Sequence, residues 1–181
     1  MTGSRARRSA RAQALERYHR QRRLNALAQP GAHELIVVLD HLKPNFNVAK
    51  ILRSAQAFGV REVHLVGIGP FDPAPPKGAF KAVPVRFLED FGESHRELAA
   101  GGYRISLLTP AGAEDLPRCE LPCRSALVLG HEEHGFSFNA DSYPGLAKVR
   151  IPQYGPIESL NVSVAASIAM YEYARRHGDV R

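Results

Sequence analysis

Cysteine is scarce in this sequence and long apolar runs are absent. Only Cys119 and Cys123 occur in 181 residues. Two thiols make no disulfide framework and point to a reducing compartment, the cytoplasm. No segment approaches the roughly 20 apolar residues that span a bilayer. The arginine-rich N-terminus is not followed by the apolar stretch of a secretory signal, although Arg-rich and acid-poor is also the signature of a mitochondrial presequence. Several catalytic signatures are missing. There is no Gly-x-x-x-x-Gly-Lys-Ser/Thr phosphate loop and no Gly-x-Ser-x-Gly nucleophile turn. Gly67-Ile68-Gly69 begins like a dinucleotide fingerprint, but position 72 is Asp and Pro70 interrupts the required helix start. His131 and His134 flank a glycine-bounded turn with no cysteine beside them, so no metal site is expected.

What is present describes one packed domain with an appendage. Hydrophobic residues make 44% and charged residues 23%, which excludes collagen-like, coiled-coil and wholly disordered chains. The net charge of +6 is unevenly placed. Residues 1–25 carry Arg5, Arg7, Arg8, Arg11, Arg17, Arg20, Arg22 and Arg23 against the single acid Glu16, whereas the remaining 16 basic and 17 acidic residues nearly cancel. The chain therefore divides into a basic arm over 1–33 and a body over 34–181. Such an arm points to a polyanion, RNA or DNA rather than a membrane surface, because its few large apolar residues do not build a membrane-binding face. A solvated helix face is the bland alternative.

Periodicity predicts a helix over about 6–27. The run Leu35-Ile36-Val37-Val38-Leu39 reads as a strand covered on both faces. A helix follows from Asn47, a candidate N-cap, to Phe58, with Val48, Ile51, Leu52 and Ala55 on its inner face. Further strands are predicted at 62–66, 83–87, 103–108, 126–129 and 148–151, with helices at about 91–100 and 159–176. Residues 67–80 and 109–123 read as loop. Strands alternating with helices predict an α/β fold, a mainly parallel sheet with helices on both faces. Ligands in such folds gather beyond the carboxyl ends of the strands.

Three segments near those ends are informative in sequence. The first is Asn47-Val48-Ala49-Lys50-Ile51-Leu52-Arg53-Ser54-Ala55. The second is Leu129-Gly130-His131-Glu132-Glu133-His134-Gly135. The third is Ile151-Pro152-Gln153 followed by Ser159-Leu160-Asn161-Val162-Ser163. In order and spacing they resemble the signature motifs of the SpoU/TrmH family of RNA ribose methyltransferases, over residues 35 to 176. The resemblance implies a C-terminal deep trefoil knot, an exception to the rule against knotted chains. It also implies S-adenosylmethionine as methyl donor, a homodimer with a shared active site, and methyl transfer to a ribose 2′-hydroxyl of structured tRNA or rRNA. It implies a catalytic set of Arg53, Asn47, Glu132, Ser159 and Asn161. It places the cofactor against Leu108, Thr109, Leu129, Gly130, Ile151 and Leu160. At Gln153 this chain departs from the family, where Met is frequent, so cofactor packing is expected to differ there. Two alternatives stay open: a knotted enzyme that methylates a base nitrogen, and a non-catalytic RNA-binding module on the same fold. The short stretch before the body has room for an arm but not for a separate RNA-binding domain.

Overall fold

A computed structural model describes residues 2–74 and 78–178, with the backbone alone over residues 2–9. Seven strands form one sheet: β1 (Leu35–Asp40), β2 (Glu62–Val66), β3 (Val85–Leu88), β4 (Arg104–Leu108), β5 (Glu114–Asp115), β6 (Ser125–Leu129) and β7 (Ala147–Arg150). Their order is β3-β2-β1-β6-β4-β7-β5, and every pairing is parallel. The sheet is therefore wholly rather than mainly parallel. β1 and β6 sit centrally and are buried along their whole length, as continuous apolar runs require.

Helices cover both faces. Along β1, Leu35, Val37 and Leu39 point into one core with α2 (Phe46–Ala57) and α5 (Val162–His177), while Ile36 and Val38 point into the other with Phe91 and Leu98 of α4 (Phe91–Ala100). Two short elements escape periodicity: β5, inside the segment read as irregular, and α3 (Ala79–Ala82), inside the predicted loop. Neither is long enough to show a repeat.

The basic arm is not separate from the body over its second half. It forms α1 (Thr2–Asn25), and Tyr18 on that helix is 2% exposed, stacked on Phe80 and edge-on to Phe71. Asn25 ends the helix by donating to the carbonyls of Phe80 (2.5 Å) and Val83 (2.6 Å) and accepting from the Val85 amide (3.1 Å). These bonds use the backbone groups between α3 and β3, which would otherwise be buried unpaired. A boundary at residue 33 therefore divides the charge but not the packing.

Candidate active site

The carboxyl ends of β4, β6 and β7 open onto one cavity of about 380 Å³. Its walls are Leu108, Leu129, Phe136, Ile151, Leu160, Val162 and Ala165, with Thr109, Pro110, Gly130, His131, Glu132, Gly135, Gln153, Ser159 and Asn161 completing the lining. All six residues expected to hold a cofactor are among them.

The loop after β6 is held from below. Asp40, wholly buried at the end of β1, accepts from the Ser137 amide (2.6 Å) and hydroxyl (2.8 Å). Within the loop, His131 and Gly135 exchange two backbone hydrogen bonds, N to O at 2.7 and 2.9 Å. Gly135 has φ +70°, and a Cβ on Gly130 would lie 2.6 Å from the Gly135 carbonyl group, so glycine is required at both positions. Lys43 reaches across from the loop after β1 and binds Glu133 at 2.6 Å, and this hydrogen bond holds the Glu133 carboxyl below its ordinary range. The His131 and His134 rings stack 4.6 Å apart, and His131 Nδ1 accepts from the Glu133 and His134 amides. Among the described residues no cluster of three or more metal-ligating side chains occurs.

On the cavity rim lies a directional chain of hydrogen bonds. Asn161 caps α5: its Oδ1 accepts from the Ser163 amide (2.9 Å) and hydroxyl (2.6 Å). That fixes its Nδ2 toward Asn47 Oδ1 (3.4 Å), and Asn47 Nδ2 in turn donates to Glu132 Oε1 at 2.8 Å. Because an amide has one acceptor end and one donor end, the cap sets the orientation of the whole chain. Three expected catalytic residues, distant in sequence, are thus joined.

Two expectations about capping are corrected. Asn45, not Asn47, caps α2 by accepting from the Asn47 amide at 2.9 Å, which leaves the Asn47 side chain available for Glu132. The last helix begins at Val162 rather than Ser159. Ser159 lies in the irregular stretch before it and lines the cavity without a side-chain hydrogen bond among the described residues. Arg53 stands apart from the others: it is exposed on α2, makes no ion pair among the described residues and does not line the cavity. Of the arm arginines, Arg17 pairs with Asp72 (3.0 Å) and Arg22 lies 4.2 Å over the Phe87 ring. Arg11, Arg20 and Arg23 are exposed, and the side chains of Arg5, Arg7 and Arg8 lie outside the described residues.

Sequence reasoning did not anticipate Pro110, His131, Phe136, Val162 or Ala165 in the lining, whereas Gln153 stands where cofactor packing was expected to differ. Pro110, His131 and Phe136 follow the carboxyl ends of β4 and β6, where ligands gather in such folds, and that was the available signal.

A parallel α/β sheet with a cavity of mixed polar and apolar lining at its carboxyl edge, rimmed by oriented amides and a carboxylate, is the arrangement in which such folds bind a small organic ligand. The chain belongs to the SpoU rRNA Methylase family, a family of RNA methyltransferases, whose model matches residues 34–171. It is 31% identical over 162 residues to the tRNA (guanosine(18)-2′-O)-methyltransferase of Thermus thermophilus, covering 87% of this chain and 82% of that protein. Among solved structures it is similar to the A. aeolicus TrmH/SpoU tRNA modifying enzyme (26% identity, TM-score 0.71, 87% and 82% of the two chains). It is also similar to the AdoMet-bound rRNA methyltransferase of Sinorhizobium meliloti (26% identity, TM-score 0.72), of which it covers 61%.

Proposed function

We propose that the protein transfers a methyl group from S-adenosylmethionine to a ribose 2′-hydroxyl of structured RNA, tRNA being slightly favoured over rRNA. The observation that carries this is the Asn161–Asn47–Glu132 chain on the rim of a cavity of the right size and polarity. The cavity suits the cofactor: its apolar walls match the faces of a purine, and Thr109, Gln153, Ser159 and Asn161 add polar groups to its lining. Leu108, Thr109, Leu129, Gly130, Ile151 and Leu160 would hold it. When bound, the cofactor supplies the methyl group.

The protein's own part is orientation. Asn47, Glu132 and Asn161 form one polar array beside the cavity, and Ser159 presents a hydroxyl there. Arg53 acts by position and charge on a phosphate or on the reacting ribose, because a guanidinium does not readily give up its proton. A homodimer accounts for its separation from the cavity. α5 buries Ser163, Ala166, Ala169, Met170 and Tyr173 but exposes Val164, Ile168 and Tyr171, an apolar stripe at helical spacing. Phe58 meets Tyr171 edge-on, and Ser54 binds Ser167 at 2.8 Å, which sets neighbouring Arg53 beside that stripe. Pairing of two such faces would bring Arg53 of each protomer to its partner's cavity. The trefoil knot belongs to the same proposal. In its support, α5 shares a core with α2 and its end is tied to the segment before β6, through Tyr173 to the Cys123 carbonyl (2.5 Å) and Arg176 to those of Cys119 and Leu116 (both 2.7 Å).

The exposed arginines of the arm would grip RNA phosphates with salt-dependent affinity. No metal enters the reaction as proposed, and among the described residues no helix is long and apolar enough to cross a membrane. The test is incubation with tritiated S-adenosylmethionine and total tRNA or rRNA, followed by nucleoside analysis. A labelled 2′-O-methyl nucleoside is expected. Absence of both label and donor binding would replace the proposal with a non-catalytic RNA-binding module.

A further inference from the structure

The mouth of the cavity carries aromatic side chains that the protein itself leaves uncovered. The chain leaves the cavity lining at Gln153 and returns to it at Ser159, so residues 154–158 bridge the rim, and every residue of that span is exposed. Tyr154 stands at its start and is 98% exposed. Phe46, the first residue of α2, is 61% exposed. Its neighbour Asn47 faces Asn161 at 3.4 Å and binds Glu132 at 2.8 Å. The bridging span runs on into that same Asn161, so the segments bearing Phe46 and Tyr154 flank one polar array. Phe46 also begins a stripe. Lys50 and Arg53 follow it at i+4 and i+7 on α2, which places all three on one helix face. Both cations are exposed and make no ion pair among the described residues. Rings beside unpaired cations make up a single-strand nucleic-acid track, in which bases stack on the rings and phosphates meet the cations. An apolar protein partner laid on the same face would desolvate Lys50 without a counter-charge.

Resting on the RNA-methylation reading above, we infer that Phe46 and Tyr154 form a stacking subsite for the base of the target nucleotide, with Lys50 on an adjoining phosphate. The base is joined to the ribose carbon next to the one that bears the 2′-hydroxyl. A ribose presented to Asn47, Glu132 and Asn161 therefore carries its base to the rim where the two rings stand. Inside a duplex both faces of a base are covered by its neighbours, so the subsite accepts a nucleotide in a loop, a bulge or a single strand. Every base has a π-face, so the rings select an unpaired nucleotide and not a particular sequence.

The chain contains no tryptophan, so Tyr154→Trp places a single indole reporter at the subsite. Its emission is followed during titration of the full chain with total tRNA and, separately, with a blunt RNA duplex, while anisotropy of the labelled RNA gives occupancy. tRNA is expected to quench the emission, and the duplex at equal occupancy to leave it unchanged. Phe46→Leu and Tyr154→Leu keep apolar bulk and remove the ring. Each is expected to raise the apparent KM for RNA in methyl transfer by about tenfold, with donor affinity and melting temperature unaltered because both side chains are exposed. Tyr154→Phe, which restores a ring, is expected to recover most of that loss. Bound tRNA with unchanged emission, equal quenching by the duplex, or unchanged KM in both leucine variants would overturn the inference while leaving the methylation reading standing. Dissociation of a leucine variant into a smaller species would assign the rings to a second copy of the chain and overturn it as well. Absence of both RNA binding and methyl transfer in the unsubstituted protein would overturn the inference and the reading together.

Discussion

Replacing Asn161 by Asp keeps one of its two contacts and reverses the other. The Asn161 Oδ1 caps α5 through the Ser163 amide and hydroxyl, and an Asp carboxylate serves that purpose equally well at a helix N-terminus. The Nδ2 that faces Asn47 becomes a carboxylate oxygen. If Asn47 keeps its orientation, two oxygens meet at a spacing near 3.4 Å; if it turns over, its own oxygen meets Glu132 at the 2.8 Å now spanned by a hydrogen bond. Either arrangement leaves one repulsive contact, and the array loses its direction. The cap is worth about 1 kcal/mol, which in a domain of this size is about 2–4 °C in melting temperature. Asn161→Ala should lose that amount, and Asn161→Asp should melt within about 1 °C of the unsubstituted protein. Turnover in both should fall by about 100-fold or more, the scale for losing an oriented donor at a reaction centre. The assays are thermal unfolding and methyl transfer to RNA under single-turnover conditions. Asn161→Asp with turnover within about threefold of normal would refute the oriented array, and Asn161→Asp melting as low as Asn161→Ala would refute the capping account.

Arg53→Ala removes an exposed side chain that makes no ion pair among the described residues, so stability should change by less than about 0.5 kcal/mol. Methyl transfer should be lost with donor affinity intact; preserved turnover would remove Arg53 from the mechanism. Mixing Arg53→Ala with Asn161→Asp chains should restore about a quarter of the sites if each dimer site combines Asn161 of one protomer with Arg53 of the other. No restoration in verified mixed dimers would place both residues in one chain's site. Deleting residues 1–13 removes Arg5, Arg7, Arg8 and Arg11 but spares Tyr18 and Asn25. The slope of log affinity for RNA against log salt should shrink by up to about 3 while donor binding stays constant, and an unchanged slope would remove that end of the arm from RNA binding. Deleting residues 1–25 should in addition lower the melting temperature by about 10 °C, because burial of an aromatic ring is worth about 3–5 kcal/mol. Glu62 is held below its ordinary value of 4.5 chiefly by a hydrogen bond from buried His64. A depressed carboxyl contributes stability above that value and loses it as pH falls through the lower folded one. Melting of Glu62→Gln between pH 3 and 7 should therefore show a shallower acid limb than the unsubstituted protein, and an identical limb would contradict the assignment.

The central strands were legible because residues 35–39 and 126–129 must be apolar on both faces, which leaves a run of a kind that few other elements produce. Helix α4 has the ends expected of it, 91–100: in the structure the Asp90 side chain caps it by accepting from the Glu93 amide, and Gly101 follows its last residue. The cap of α2 was misplaced by two residues and the start of α5 by three. Asn45, Asn47, Ser159 and Asn161 are all good caps by residue type; the Asn47 side chain is taken by the tertiary bond to Glu132, and Asn161 caps α5 through the Ser163 amide. The arm shows the largest gap between text and structure. Charge made residues 1–25 look like a free tail, but one aromatic residue, Tyr18, and one amide, Asn25, decide that the helix docks. A single buried residue carries no periodic signal. The cavity lining came from the family motifs, whereas the contact between Asn47 and Glu132 joins residues 85 apart in sequence, and no local pattern reports it.

The most direct test of ribose methylation is alkaline hydrolysis of RNA labelled by the protein from tritiated S-adenosylmethionine. A 2′-O-methyl ribose lacks the free hydroxyl that attacks the neighbouring phosphate in alkali. Label is therefore expected in alkali-stable dinucleotides. Label released entirely as mononucleotides would place the methyl group on a base and contradict the assignment of the ribose as the acceptor.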